Sequence, residues 1–181
     1  MILGISGKRG VGKTLGAMHL VKAHGFVRVS FAEELKILAK QIFPFKENDL
    51  VVPSKKESKF MDYDWTPREF MINLGEFCRF HDNEYWIKRG LSKCNKDDKH
   101  YVFDDVRYKN EANAIRERGG LVIRINRYEK QNPYGKDLDV PSETDLDDYK
   151  FDFVVDKMWN TSKEELYRQL DSFKEERCPK T

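Results

Sequence analysis

No apolar run in the chain approaches the roughly 20 residues that span a bilayer, so nothing in it reads as a membrane segment. Cysteine is scarce and unpaired. Cys78, Cys94 and Cys178 are the only three, and no two stand at metal-ligand spacing, which excludes a disulfide scaffold and a zinc knuckle and fits a reducing compartment. The four histidines, His19, His24, His81 and His100, form no metal-like pattern along the chain. An excess of one charge is also missing. The 33 Lys and Arg stand against 31 Asp and Glu, a net of +2, which gives no general electrostatic footprint for nucleic acid. The opening apolar run is too short for a signal peptide, and Lys8 and Arg9 follow it. These absences imply a cytoplasmic protein without membrane attachment. A hydrophobic content of 39% and an aromatic content of 13% exclude disorder, and 181 residues suffice for one domain with a real core.

What is present is an alternation of short apolar runs and helical stretches. Strands are predicted at "MILGIS" (1–6), "FVRVSF" (26–31), "HYVFDD" (100–105), "LVIRI" (121–125) and "DFVVD" (152–156). Helices are predicted between and after them: 14–24 with Leu15, Met18, Val21 and Lys22 marking the turns, 32–43, 109–120 with Gly119 as a stop, and 162–173 with Leu166, Leu170 and Phe173 on one stripe. The alternation implies an α/β fold, a five-stranded parallel sheet with helices on both faces. Two stretches interrupt it. Residues 44–98 carry helices but no convincing strand, and residues 126–149 are polar and charged. Within a single domain spanning 1–181 this defines a core (1–43, 99–125 and 150–181), a helical insertion (44–98) and a lid-like insertion (126–149).

The strongest motif is "GKRGVGKT". Gly7, Gly12, Lys13 and Thr14 fill the fixed places of G-x-x-x-x-G-K-[ST], between a predicted strand and a predicted helix. Glycines let the N–H groups of Gly7, Arg9, Gly10, Val11 and Gly12 turn toward phosphate oxygens, and the helix N-terminus adds its positive end. Lys13 is placed to reach the β- and γ-phosphates of ATP, and the Thr14 hydroxyl to hold Mg²⁺.

"FDDVR" (103–107) ends the third strand, at the sheet edge where open parallel sheets bind ligands. Asp105 and Arg107 are two apart and share one side of an extended segment. This sets a carboxylate for metal or acceptor beside a guanidinium for phosphate, with Asp104 competing for the metal role. In "TPREFMINLGEFCRF" (66–80), Thr66 and Glu69 fit a capping box with Pro67 at the first helical position, and Phe70, Met71, Leu74, Phe77 and Cys78 form a buried stripe. Arg68, Gly75 and Arg79 share another face, with the arginines roughly 16 Å apart along the axis. A glycine inside a helix points to close approach of another element or a ligand. Arg127 opens the charged insertion, where it can neutralise a transferring phosphoryl group. Ser142 with Asp145, and Ser30 with Glu33, fit further capping boxes. Phe31, Tyr63, Trp65, Tyr85 and Trp86 flank the helical insertion. Core packing is the default for each, and one or two are candidates to sandwich a base.

In this order, "GKRGVGKT", "TPREFMINLG", "DDVRYKNEANAIRERGGLVIRINR" and "SETDLDDYKFDFVVD" resemble the phage-type deoxynucleoside monophosphate kinases, of the nucleoside monophosphate kinase group of P-loop NTPase folds. The resemblance covers the first strand and most of residues 66–175. It implies that 44–98 binds the acceptor and that the reaction moves the ATP γ-phosphate to a deoxynucleoside monophosphate for DNA-precursor synthesis. Carried over residue by residue, Lys13 and Thr14 serve ATP and Mg²⁺, and Asp105 sits beside the metal. Arg68 and Arg107 hold the acceptor phosphate, with Arg79 as a further contact, and Arg127 acts on the transferring group; Gly75 and Trp86 are candidate substrate contacts from the residues themselves. The chain departs from the family pattern by Thr14 where many members have Asp, and by one residue fewer between Gly75 and Arg79. The resemblance also implies a host cytoplasm and small nucleotides as partners, with a second copy of the chain a candidate partner. The competing readings are a small-molecule kinase of the phosphomevalonate kinase type, which needs no base pocket, and a kinase acting on modified bases in DNA, which needs a basic stripe that the chain lacks.

Overall fold

The computed structural model describes residues 1–95, 98–128, 141–158 and 162–177. The chain divides into two compact units, Met1–Ser30 with Cys94–Thr181, and Phe31–Lys93. The helix read with the strand core, 32–43, therefore groups with the helical insertion, and the division falls at 30/31 and 93/94.

The first unit is built on β1 (Ile2–Ser6), β2 (Val27–Val29), β3 (Tyr101–Val106), β4 (Leu121–Tyr128) and β5 (Phe153–Met158). All pairings are parallel, in the order β2-β3-β1-β4-β5. The run Leu3–Ser6 is buried throughout, as a central parallel strand covered on both faces must be. Leu3 and Ile5 pack with Val102, Ile123, Ile125 and Val155 against α1 (Lys13–His24) and α9 (Lys163–Arg177), through Ala17, Leu20, Leu166, Leu170 and Phe173. Gly4, between them, turns to the opposite face and Ile115 of α7 (Lys109–Glu117). The expected stripe on α9 is the buried one. That on α1 is not: Gly16, Ala17 and Leu20 are buried, while Leu15 and Met18 are exposed. Small residues win this face because they let the helix lie close to the sheet and to Leu170. The fourth strand runs three residues past its expected end, to Tyr128; residues 129–140 of the lid-like insertion lie outside the described residues, as does Cys178, and 141–144 form the short α8 (Pro141–Thr144).

The register of β1 and β3 shifts where function is expected. Gly4 pairs with Phe103 but Ser6 with Val106, so two residues of β1 span three of β3, and the extra one falls at Asp104–Asp105. Such irregularities re-aim side chains beside active sites. β3 ends at Val106, so Arg107 stands just past the strand.

The second unit contains α2 (Ala32–Ile42), α3 (Glu47–Val51), α4 (Pro53–Lys56), α5 (Pro67–His81) and α6 (Tyr85–Leu91), with no strand among its residues. The Thr66–Glu69 capping box is formed, at 3.2 Å and 2.8 Å. The Ser30–Glu33 box is not: Phe31 precedes α2 without a side-chain cap, and Glu33 pairs with Lys93 at 2.9 Å. On α5 the buried residues are Pro67, Met71 and Gly75, whereas Phe77 is exposed, which corrects part of the expected stripe. Phe43, Phe45, Phe60, Tyr63, Trp65 and Phe70 form one aromatic cluster, with centroid separations such as 4.4 Å for Phe45–Phe60 and 4.8 Å for Tyr63–Trp65. Among the described residues no helix is long and apolar enough to cross a membrane.

Candidate active site

β1 lies between β3 and β4, so the segments leaving the carboxyl ends of all three are neighbours at one edge. The chain's order around the sheet reverses at this point, where α/β sheets open a crevice for ligands. The phosphate loop leaves β1, Arg107 follows β3, and Arg127 lies near the end of β4.

Gly7, Gly10 and Gly12 all have positive φ. A Cβ on Gly7, at φ +147°, would run into the Ile125 carbonyl oxygen and Val11 Cγ2, so the loop has this path only with glycine there. Val11 is buried and anchors the loop, and Thr14 is exposed on the first turn of α1. That helix has no side-chain N-cap and no acidic residue in its first turn, which leaves its N-terminal N–H groups and positive dipole end for an anion. The Lys13 Nζ folds back to donate to the carbonyls of Gly7 at 2.7 Å and Lys8 at 2.8 Å. Burial first of all, and then the Arg107 charge, push this ammonium down to about 7, against the pull of Glu143, Asp104 and Asp105.

Asp104 and Asp105 differ in partners. Asp104 is buried, and its Oδ2 accepts from Arg28 Nε at 2.9 Å. Its Oδ1 is buried with no hydrogen-bond partner among the described residues. A buried carboxylate oxygen left over in this way fits a hard cation or its water. Asp105 Oδ2 accepts from the Ser30 hydroxyl at 2.7 Å. Ser30 thus serves the site as a donor to Asp105 rather than capping a helix; its place at the end of β2, next to β3, was the available signal.

Arg107 Nη1 donates to Glu143 Oε1 at 2.6 Å and lies 3.3 Å from the Ser142 carbonyl. Glu143 Oε2 accepts from the backbone N–H of Arg9, in the phosphate loop, at 3.2 Å. Lys8 and Arg124 both pair with Asp147, at 2.7 and 3.1 Å. Asp145 accepts from Lys109 N at 2.6 Å at the start of α7, instead of closing a box with Ser142. Arg127 Nη1 lies 3.5 Å from the Gly10 carbonyl oxygen. Lys13, Asp104, Asp105, Arg107 and Arg127 thus share this sheet edge, while Arg28, Ser30, Glu143 and Asp147 join them without having been assigned to it from the sequence.

Arg68, Gly75, Arg79 and Trp86 belong to the helical unit. Arg68 lies 3.6 Å from Glu57, and Arg79 3.4 Å from Glu76. Trp86 is only 3% exposed, and its indole N–H donates to the Gly75 carbonyl at 3.2 Å. Trp86 is thus packed within its own unit, the default read for it from the sequence. A Cβ on Gly75 would stand 3.2 Å from Arg79 Nη1, the far end of a flexible side chain, and at ordinary contact distance, 3.5 Å, from Leu35 Cδ2.

One histidine group corrects the pattern read along the sequence. His19 and His24 of α1 both reach Asp171 Oδ1 of α9, at 2.7 and 2.6 Å. Burial works to raise the Asp171 carboxyl, but the bonds from His24 and His19 outweigh it and hold the group below the usual carboxylate range.

No family model matches the chain. A protein of Acanthamoeba polyphaga mimivirus that carries the provisional name deoxynucleotide monophosphate kinase is 31% identical over 194 aligned positions, which cover 95% of each chain. Among solved structures, a dephospho-CoA kinase from Campylobacter jejuni superposes with a TM-score of 0.54 at 14% identity, covering 97% of this chain and 96% of that one. A gluconokinase from Sinorhizobium meliloti 1021 gives 0.49 at 12% identity, over 96% and 93%.

Proposed function

Because the chain belongs to the deoxynucleotide monophosphate kinase family, and is therefore a phosphotransferase, we propose that it moves the γ-phosphoryl group of ATP to the phosphate of a deoxynucleoside monophosphate. An acceptor phosphate oxygen attacks the γ-phosphorus, and the bond to the β–γ bridging oxygen breaks. ADP leaves with that electron pair, and the acceptor becomes the diphosphate. The acceptor is already an anion, so no general base is needed; alignment and charge neutralisation suffice.

One observation carries this reading: the phosphate loop and Arg107 meet on a single carboxylate, Glu143. A grip for the donor's phosphates and a guanidinium for a second phosphate therefore stand side by side. Lys13 exchanges the Gly7 and Lys8 carbonyls for phosphate oxygens, and the loop N–H groups hold the β-phosphate. Arg107 takes the acceptor phosphate, and Arg127 neutralises charge on the group in transit. Thr14, with Asp104 or Asp105, would hold Mg²⁺, and the chemistry that ion supplies when bound is neutralisation of charge on phosphate oxygens. Such an enzyme would work in the cytoplasm on small nucleotides, supplying precursors for DNA.

The test is ADP release from ATP and Mg²⁺ with deoxynucleoside monophosphates, ribonucleoside monophosphates and phosphomevalonate added one at a time. Stimulation by one or more deoxynucleoside monophosphates supports the reading. Stimulation by phosphomevalonate alone, or by none of the panel, contradicts it.

A further inference from the structure

Glu143 lies in a polar segment, yet its side chain is only 5% exposed. Its two oxygens serve different elements: Oε1 accepts from Arg107 Nη1 at 2.6 Å, and Oε2 from the Arg9 N–H of the phosphate loop at 3.2 Å. The segment around it is tied down on both sides. Lys8 Nζ donates to the Glu143 carbonyl at 2.5 Å, Asp145 receives Lys109 N, and Asp147 receives Lys8 and Arg124. Arg107 is fixed at its other end as well. Its backbone N–H donates at 2.8 Å to Glu111, whose side chain is buried. A guanidinium offers five N–H donors in a rigid fork. Here Nη1 is engaged by Glu143 and Ser142, while among the described residues nothing accepts from Nε or Nη2. Among the described residues one edge of the fork is held and the other is open.

We infer that Glu143 is a positioning residue of the transfer reaction: its carboxylate locks the Arg107 guanidinium against the phosphate loop and leaves the open edge, Nε and Nη2, to receive the acceptor phosphate. The inference rests on the transfer reading and adds the group that sets the geometry of the acceptor arginine. A bidentate phosphate contact needs two parallel N–H donors, and an arginine fixed beforehand presents them without a search through its rotamers. Because Glu143 also holds the loop that carries the donor, one carboxylate sets the spacing between the two phosphate grips.

A double-mutant cycle with Arg107 tests this. Glu143→Ala lowers kcat/KM for the acceptor by about 100-fold, the scale of a misplaced reacting group, while the KM for ATP moves by less than about threefold. In an Arg107→Ala background the same substitution costs less than about threefold, because its route of action is gone. Glu143→Gln keeps one acceptor oxygen, enough for Arg107 but not for the Arg9 N–H as well, and recovers about a tenth or more of the wild-type value. Losses that multiply independently in the double variant overturn the inference, as does an unchanged acceptor kcat/KM in Glu143→Ala. If Glu143→Ala fails to fold, the cycle is run with Glu143→Gln. A second readout needs no acceptor: the ¹H–¹⁵N resonances of the Arg107 Nη groups in the substrate-free protein. Wild type shows them separate, from hindered rotation, and Glu143→Ala merges them; merged signals in wild type, or separate ones in the variant, contradict the locking. Wild type that turns over no mononucleotide defeats the functional reading while this readout still decides the role of Glu143.

Discussion

The Lys13 ammonium nitrogen stands 2.7 Å from the carbonyl oxygen of Gly7, six residues earlier, so the phosphate loop is closed on its own lysine. Burial and the Arg107 charge hold that ammonium at about 7. A nucleotide reverses this balance, because its phosphates set negative charge beside the nitrogen and raise its pKa. Binding at about pH 8.5, where free Lys13 is mostly neutral, is expected to take up close to one proton. ATP affinity accordingly falls as pH rises above 7. Calorimetry of nucleotide binding in buffers of different ionisation enthalpy measures the uptake, and its absence would mean that Lys13 is already charged in the free protein.

Lys13 is also expected to be a burden on the fold. A free lysine titrates at 10.5 and this one at about 7. Between those values the unfolded chain binds a proton that the folded chain does not, so stability rises with pH across the window, and at neutral pH the side chain costs stability. Lys13→Met should abolish transfer while melting at or above the wild-type temperature at pH 7, and the difference should shrink as pH rises from about 7 toward 10.5. A clear drop in melting temperature at pH 7 would show that the bonds to Gly7 and Lys8 outweigh the cost of burial.

Gly7→Ala places a methyl group against the Ile125 carbonyl oxygen, in a backbone region that disfavours any side chain. The expected loss is at least about 2 kcal/mol, together with loss of nucleotide binding, because the loop must leave its path to relieve the contact. Thermal unfolding and ATP titration of the variant check both, and wild-type values in each would refute the geometry described for the loop.

Trp86 separates packing from recognition. Trp86→Phe removes the indole donor and leaves the Gly75 carbonyl without it, at a cost of about 1–3 kcal/mol. The melting temperature should fall by several degrees with little change in the acceptor KM. A large rise in KM without loss of stability would return Trp86 to the base-binding role that its place in the sequence suggests.

These contrasts show what was legible beforehand. The five strands, the phosphate loop and the stripe of Leu166, Leu170 and Phe173 follow from local pattern and are present. The buried face of α1 was not legible, because hydrophobic spacing reports the large residues Leu15 and Met18, whereas close approach to the sheet selects Gly16 and Ala17. Ser30 fits a capping box by spacing, yet α2 begins one residue too late for it, at Ala32, and the Ser30 hydroxyl donates to a carboxylate 75 positions away. The same limit hid Glu143 and the His19–His24–Asp171 group. Each is defined by a partner more than 30 residues distant in sequence, brought near only by the order of the strands and the helices that cover them.

Phosphoryl transfer to a mononucleotide is read out by analysis of its products. With ATP, Mg²⁺ and each deoxynucleoside monophosphate in turn, the protein should form one deoxynucleoside diphosphate for every ADP, and Lys13→Met should form neither. ADP released without any matching diphosphate, or no turnover with any mononucleotide, would contradict transfer to a mononucleotide.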